Sequence, residues 1–241
     1  MIYKVGILGA TGRMGLELAA LLSPSFDQEG DSFELAAAVA KSERLTHIEG
    51  VEVRTLREPP REPVHVWIDF SRPEATIELL GQIDTPVVIG TTGFSEPQRD
   101  VVTEYARRRP VLQAANTSRG LAILGEFLER FPRSSEWPAD VILQEEHHRH
   151  KVDSPSGTAK SLSEILVRRG HQNIQTLVVR AGEIVGTHRV RFVLEAEEIE
   201  ITHRVSQRKA FAKGALVATA FVLRQTSGLY EMKDVFTGGQ R

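Results

Sequence analysis

Through its first 115 residues the chain alternates short apolar runs of strand length with segments whose apolar residues recur at helical spacing. That alternation restricts the chain to very few architectures. YKVGIL (3–8) stops at a glycine, and Leu16, Leu18, Ala19 and Leu22 follow at helical spacing. Phe33 to Val39 again reads as a strand. The pattern returns with VHVWIDF (64–70) and a helix opened by Pro73 and Glu74, with PVVIG (86–90) and a helix around 95–108, and with PVLQAA (110–115). Buried strands that each hand over to a helix align in a parallel sheet covered on both faces. The charged, proline-rich TLREPPREP (55–63) is predicted to be a surface loop.

The turn after the first strand is Gly9-Ala10-Thr11-Gly12-Arg13-Met14-Gly15. Glycines there allow a tight turn and let backbone N–H groups approach a pyrophosphate at the helix N-terminus. In the G-x-G-x-x-G register Ala10 replaces the first glycine, while Gly12 and Gly15 fit. A carboxylate to grip the ribose of NAD is expected at the end of the second strand. That strand ends Val39-Ala40-Lys41, with Glu43 a little late, and Lys41 suits a 2′-phosphate instead. The expected cofactor is therefore NADPH in preference to NADH. Two later strand ends, Gly90-Thr91-Thr92-Gly93 and Ala114-Ala115-Asn116-Thr117-Ser118, carry small polar groups that suit a nicotinamide pocket.

From about residue 119 the period changes. A helix is expected over 119–131 and a strand over DVILQEEHH (140–148). GTHRVRFVLEAEEIEITHRV contains two alternating runs. Folding them about residues 195–198 sets Val190, Phe192 and Leu194 against Ile199, Ile201 and His203 in an antiparallel hairpin. Arg189, Arg191, Glu198 and Glu200 take the other face. A last helix is expected near 208–226, with Phe211, Ala215, Ala218 and Val222 at helical spacing. The expected organisation is one domain from 1–118 with 208–241, and an α+β domain with a largely antiparallel sheet over 119–207.

Five basic or titratable residues, His147-His148-Arg149-His150-Lys151, run directly into Val-Asp-Ser-Pro-Ser-Gly-Thr in a chain of net charge −2. Ser154 is the expected N-cap and Pro155 the first helical residue, which leaves the amides of Ser156, Gly157 and Thr158 facing outward. Unpaired helix amides beside clustered cations make a site for a carboxylate or phosphate. His147, His148 and His150 lack a carboxylate at fixed ligand spacing, and the chain has no cysteine, so no metal is expected. The missing cysteine also excludes disulfides and thiol nucleophiles, including that of an aldehyde–phosphate dehydrogenase. A sequence pI near 6.5 gives no broad basic field, so no nucleic-acid partner is implied. No apolar run is long enough to span a bilayer and no secretory leader is evident, which implies a cytoplasmic protein.

The sequence resembles the dihydrodipicolinate reductase family of the diaminopimelate–lysine pathway. The matching pieces are GATGRMG (9–15), DFSRPE (69–74), GTTGF (90–94), AAN (114–116), EEHHRHKVDSPSGTA (145–159), RAGEIVGTH (180–188) and EITHR (200–204). The resemblance implies a Rossmann-like domain that binds NAD(P)H and to which the chain returns at its C-terminus. It also implies a middle domain that binds a small cyclic imine dicarboxylate and builds a homotetramer through its sheet. By motif, His147 is the acid/base residue and Lys151 a proton donor. By motif, His148, Gly157 and Thr158 hold substrate and the coenzyme lies on Gly9 to Met14, Gly90 to Thr92 and Ala114 to Thr117; the helix-amide reading adds Ser156 to the substrate site and the strand-end reading adds Lys41 to the coenzyme site. The chain departs from the family pattern at Ala40, where many members are acidic, at Thr117, where an aromatic is common, and in a shortened segment before RAGEIVGTH. The competing readings are a non-catalytic NAD(P)H sensor and a binding protein for an acidic metabolite. The first would keep GATGRMG and lose the cationic cluster; the second would leave the glycine-rich turn without a purpose.

Overall fold

The computed structural model of the chain describes residues 1–41, 45–60 and 62–237. Glu43, weighed above as a ribose ligand, and Arg61 in the proline-rich loop lie outside them. The elements run β1 (Ile2–Leu8), α1 (Arg13–Leu21), β2 (Phe26–Gln28), β3 (Asp31–Val39), β4 (His47–Ile48), β5 (Val51–Arg54), β6 (Val66–Asp69), α2 (Pro73–Leu80), β7 (Val87–Ile89), α3 (Glu96–Ala106) and β8 (Pro110–Gln113). Then come α4 (Arg119–Arg130), β9 (Asp140–His147), α5 (Gly157–Arg168), β10 (Ile174–Arg180), β11 (Gly186–Val193) and β12 (Glu198–Val205), and last α6 (Lys209–Val222), β13 (Gly228–Tyr230) and α7 (Asp234–Thr237). The chain divides into two compact units, Met1–Thr117 with Phe211–Arg241, and Ser118–Ala210.

The first unit is built on a sheet of order β13-β8-β7-β6-β1-β3-β5-β4, with β2 antiparallel on β3 and β4 antiparallel on β5. The remaining neighbours pair in parallel. Helices cover both faces, so the strand residues are buried without alternation: Val5, Ile7, Val66, Ile68, Val87, Val88 and Ile89 are all sequestered. Pro73 starts α2, as predicted, because its missing N–H falls where a helix has no use for one. Ser95 and Gln98 close a capping box on α3. The chain leaves β1 toward β3 on one side and later toward β6 on the other. The carboxyl ends of β1, β3 and β6 thus flank the point where the winding reverses, the usual ligand crevice of such sheets.

In this unit α6 ends at Val222, short of the predicted 226, and apart from exposed Lys213 is buried from Ala212 to Val222 rather than along one side. Its alanines and glycine let neighbours approach from every direction, so a one-sided stripe is not required.

The second unit is a sheet of order β10-β9-β11-β12. The predicted hairpin forms, but two residues tighter than a fold about 195–198 sets it: Val190 faces Ile201 and Phe192 faces Ile199, rather than His203 and Ile201, because the Leu194 N–H bonds the Glu197 carbonyl and closes the turn over Glu195 and Ala196. β9 joins it antiparallel, whereas β10 lies parallel to β9, α5 forming the crossover between them. The sequence of β10, IQTLVVR, carries neither alternation nor turn signals and was not foreseen as a strand. One face of the sheet packs on α4 and α5 around Leu124, Leu128, Leu143, Leu162, Leu166 and Phe192. On the other, Arg189 and Arg191 pair with Glu198 and Glu200. Among the described residues no helix is long and apolar enough to cross a membrane.

Candidate active site

In the first unit, the turn after β1 is a close fit that only glycines permit. Gly9 has φ +84°, and a Cβ there would lie 2.5 Å from the Phe70 carbonyl oxygen at the end of β6. A Cβ on Gly15 would lie 2.3 Å from the Gly9 carbonyl oxygen and 2.5 Å from that of Ala10. Ala10 itself is buried and needs no left-handed backbone, which explains why the fingerprint tolerates alanine there. No acidic side chain occupies the first turn of α1, and Gly12 caps it without a side chain. Thr11, Gly12, Arg13 and Met14 therefore line a helix start that is bare of competing anions, and the cradle fits a pyrophosphate. Gly15→Ala forces the Gly9–Ala10 backbone to move. Such overpacking typically costs about 1–3 kcal/mol, so the melting temperature is expected to fall by several degrees and the coenzyme to bind at least tenfold more weakly. Thermal unfolding with and without coenzyme reads both effects.

The neighbouring strand ends are braced by a carboxyl the motif reading passed over. Asp69, fully buried at the end of β6, accepts from the Ser71 amide (2.9 Å), the Ser71 hydroxyl and the Thr76 hydroxyl. Burial pushes its pKa up, against the pull of those hydrogen bonds and of Thr91. Thr91 accepts from the Ser71 amide at 2.8 Å, so its hydroxyl knits two loops together. Thr117 is also buried, and its hydroxyl donates to the Phe211 carbonyl. Gly90 lies over the Phe70 ring, which a Cβ would approach to 2.1 Å. Thr92 and Ala115 are exposed, and Ala114 and Asn116 half-buried, at these strand ends. Lys41 is exposed after Ala40 at the end of β3.

In the second unit, β9 alternates. Val141, Leu143, Glu145 and His147 point to the buried face, while His148 is half-buried and Arg149 and His150 are exposed beyond the strand's end. The register continues the row across the sheet: Glu145 pairs with His188 on β11, and His188 with His203 on β12. The face that is apolar at Leu143–Val190–Ile201 thus turns polar one step further on. The His147 ring meets His188 edge-on, with centroids 5.2 Å apart, and His188 stacks on His203 at 6.2 Å. His203 Nε2 is 2.9 Å from the Ser118 hydroxyl. The Nε2 edge of His147 lies beside Gly186, where a Cβ would come within 3.2 Å.

The electrostatics of this row differ from those of a solvated basic run. Glu145 Oε1 accepts from Arg180 Nη2 (2.8 Å) and from the Ser156 amide (3.0 Å). Burial pushes the Glu145 pKa up, but Ser156 and the Arg180 guanidinium outweigh that and hold it below the usual carboxylate range. Burial lowers the His147 pKa; Glu145 opposes the shift at 3.4 Å from Nδ1, while Lys151 and Arg180 add to it. His188, buried beside two other imidazoles, is lowered to about 4. His147 and His188 are therefore neutral near pH 7.

The start of α5 corrects the predicted one. The N-cap is Ser156, not Ser154, and the helix begins at Gly157. Two contacts decide this: the Ser156 hydroxyl accepts from the Ala159 amide at 3.1 Å, and buried Glu145 takes the Ser156 N–H. The predicted row of outward amides is also revised. The Ser156 N–H is used by Glu145; burial pushes the Asp153 pKa up, but Lys151 and the Gly157 backbone outweigh that and hold it below the ordinary carboxylate value. Asp153 accepts from Lys151 Nζ at 2.7 Å. The side chain of Asp153 thus sits between the ammonium and the amide to which the sequence reading gave an external carboxylate. Gly157 is exposed, with nothing within 4 Å of where a Cβ would stand. Thr158 is half-buried one residue on. Glu145, Arg180 and His188 lie in the matching stretches EEHHRHKVDSPSGTA and RAGEIVGTH but were given no role; the period-2 continuation of DVILQEEH, which puts Glu145 and His147 on one face, was the signal that could have singled out Glu145.

Comparison with known proteins matches both units. A family model described as dihydrodipicolinate reductase, N-terminus, matches residues 3–117, and one described as dihydrodipicolinate reductase, C-terminus, matches residues 120–236. A 4-hydroxy-tetrahydrodipicolinate reductase of Acinetobacter baylyi is 36% identical, covering 96% of this chain and 95% of its own. That of Bdellovibrio bacteriovorus is 34% identical, covering 98% and 96%. Among solved structures, a dipicolinate-bound dihydrodipicolinate reductase from a Paenisporosarcina species superposes with a TM-score of 0.73 at 21% identity, covering 97% of this chain and 99% of that one.

Proposed function

This chain belongs to the dihydrodipicolinate reductase family, and from that premise we propose that it reduces 4-hydroxy-tetrahydrodipicolinate to tetrahydrodipicolinate in the diaminopimelate route to lysine. The observation that carries this reading is the match of the two family models, in order, over nearly the whole chain. A reduced nicotinamide dinucleotide, when bound, supplies the hydride. The glycine cradle of Gly9 to Met14 holds its pyrophosphate, and Gly90 to Thr92 and Ala114 to Thr117 shape the rest of that pocket. With Thr91 and Thr117 already engaged, this shaping comes from the backbone and from packing rather than from those two hydroxyls. NADPH is favoured over NADH, because Lys41 rather than a carboxylate follows β3.

The substrate is a small dicarboxylate. One carboxylate takes the place of Asp153 between Lys151 and the Gly157 amide, with His148, Ser156 and Thr158 around it. Loss of the 4-hydroxyl as water turns the substrate into a conjugated imine; hydride addition to it leaves a carbanion-like centre that takes one proton, so that substrate, reduced coenzyme and a proton give tetrahydrodipicolinate, oxidised coenzyme and water. Lys151, ion-paired as an ammonium, donates it. His147, held proton-poor by burial, accepts hydrogen bonds at Nε2 while Glu145 faces its Nδ1. The positive charge of Lys151 and Arg180 also steadies the developing negative charge. The outer face of the second sheet, with exposed Leu177 and Val179 beside the Arg–Glu pairs, is the assembly surface of a homotetramer, and the enzyme is cytoplasmic.

The test supplies purified protein with enzymatically generated 4-hydroxy-tetrahydrodipicolinate and follows the absorbance of the reduced coenzyme. Oxidation of NADPH is expected, with slower use of NADH; oxidation of neither sinks the function. Lys41→Ala is expected to weaken NADPH binding about tenfold and leave NADH nearly unchanged. Equal effects on both make Lys41 a bystander.

A further inference from the structure

We propose that Glu145, His147 and His188 form a binding site for one zinc-class divalent ion, and that filling it inhibits the reductase. All three side chains are at least nine-tenths buried on one face of the second sheet. One donor atom from each lies within 4.8 Å of the others. Glu145 Oε2 and His147 Nδ1 are 3.4 Å apart, and donors around a tetrahedral ion with bonds of about 2.0–2.1 Å are separated by roughly that distance. Completing the set needs the His188 donor to close on the other two to about that separation.

A second observation is independent of the spacing. Glu145 Oε2, His147 Nδ1 and both ring nitrogens of His188 are buried with no hydrogen-bond partner. Buried polar atoms are rarely left so, and here one from each of the three side chains lies within 4.8 Å of the others. Glu145 is already held by its other oxygen, through Arg180 and the Ser156 amide, so Oε2 is fixed in direction and spare. Outer contacts of that kind preset a metal ligand. Two imidazoles and one carboxylate select zinc and its neighbours over magnesium or calcium, which want oxygen alone. Such an ion is not needed for the reaction. Bound to Nδ1, it ties His147 to Glu145 and His188 and withdraws it from the substrate. The inhibitory half rests on the proposed function; the binding half does not.

The test uses chelator-treated full-length protein titrated with zinc chloride by calorimetry, and crystals of the zinc-treated protein examined by anomalous scattering at the zinc edge. One ion per chain with micromolar or tighter affinity, located at these three side chains, is expected. His188→Asn should weaken it at least tenfold. Anomalous scattering from the unaltered protein decides the site even where that variant does not fold. No binding, or an ion found instead on His148 and His150, overturns the site. In the reductase assay, zinc should inhibit and chelator should restore the rate, with His188→Asn needing at least tenfold more zinc. An ion seated at the three side chains with the rate unchanged overturns the inhibition. An ion seated there in a protein that reduces no dicarboxylate upholds the site and overturns the function.

Discussion

Replacing Lys151 with alanine is expected to lower kcat by about 10²-fold, within the range typical of a general acid. That corresponds to about 2.7 kcal/mol of lost transition-state stabilisation, at 1.36 kcal/mol per factor of ten. The melting temperature should hardly move, because the Lys151–Asp153 pair is open to solvent on the aspartate side and exposed pairs contribute little. Coenzyme binding should be unaffected, since the glycine cradle belongs to the other unit. Lys151→Arg separates the two roles open to this side chain. It keeps the charge that attracts a carboxylate, but a guanidinium does not give up its proton at working pH. If Lys151 is the proton donor, the arginine variant recovers KM and leaves kcat low. Recovery of kcat by arginine means that the lysine acts by charge alone and that the donor is elsewhere.

The second large effect is on stability in acid. His188 is almost fully buried, and burial lowers its pKa to about 4 in the folded protein, against 6.5 for an unconstrained histidine. Between these values the unfolded chain takes up a proton that the folded one refuses. Stability from this group is therefore complete above pH 6.5 and is lost as pH falls from there toward 4. The loss between pH 8 and pH 4.5 is about 2.5 kcal/mol for His188 alone. His147 and His203, also lowered by burial, shift the balance the same way. Urea unfolding at the two pH values, in chelator to exclude metal, measures the slope. His188→Asn should reduce the acid loss by about 2.5 kcal/mol; an unchanged slope means that His188 titrates normally in the folded protein.

Much of the chain was legible because its signals are local. A glycine-rich turn after an apolar run announces the nucleotide cradle at Gly9–Gly15, since the steric demand lies within a few residues. The alternating runs around Val190 and Ile201 gave the hairpin and the face each run presents, because a two-residue period fixes which side chains share a face; the register, tighter by two, was set by the Leu194–Glu197 closure of the turn. β10 escaped because it is an edge strand whose middle five residues are exposed, so its sequence has neither a buried apolar run nor an alternation.

What the sequence alone determined, then, was the parallel-sheet unit, the hairpin unit, the cradle and the identity of the cationic cluster. Tertiary structure decided what those cations face. The start of α5 was set two residues later than its own caps suggest by Glu145, eleven positions upstream. His147 became a buried imidazole in a row with Glu145, His188 and His203 only when three strands aligned. Turn chemistry and periodicity act over a few residues and can be read along the chain. Burial and charge pairing depend on which side chains the register brings across the sheet, and those are set by neighbours far away in sequence.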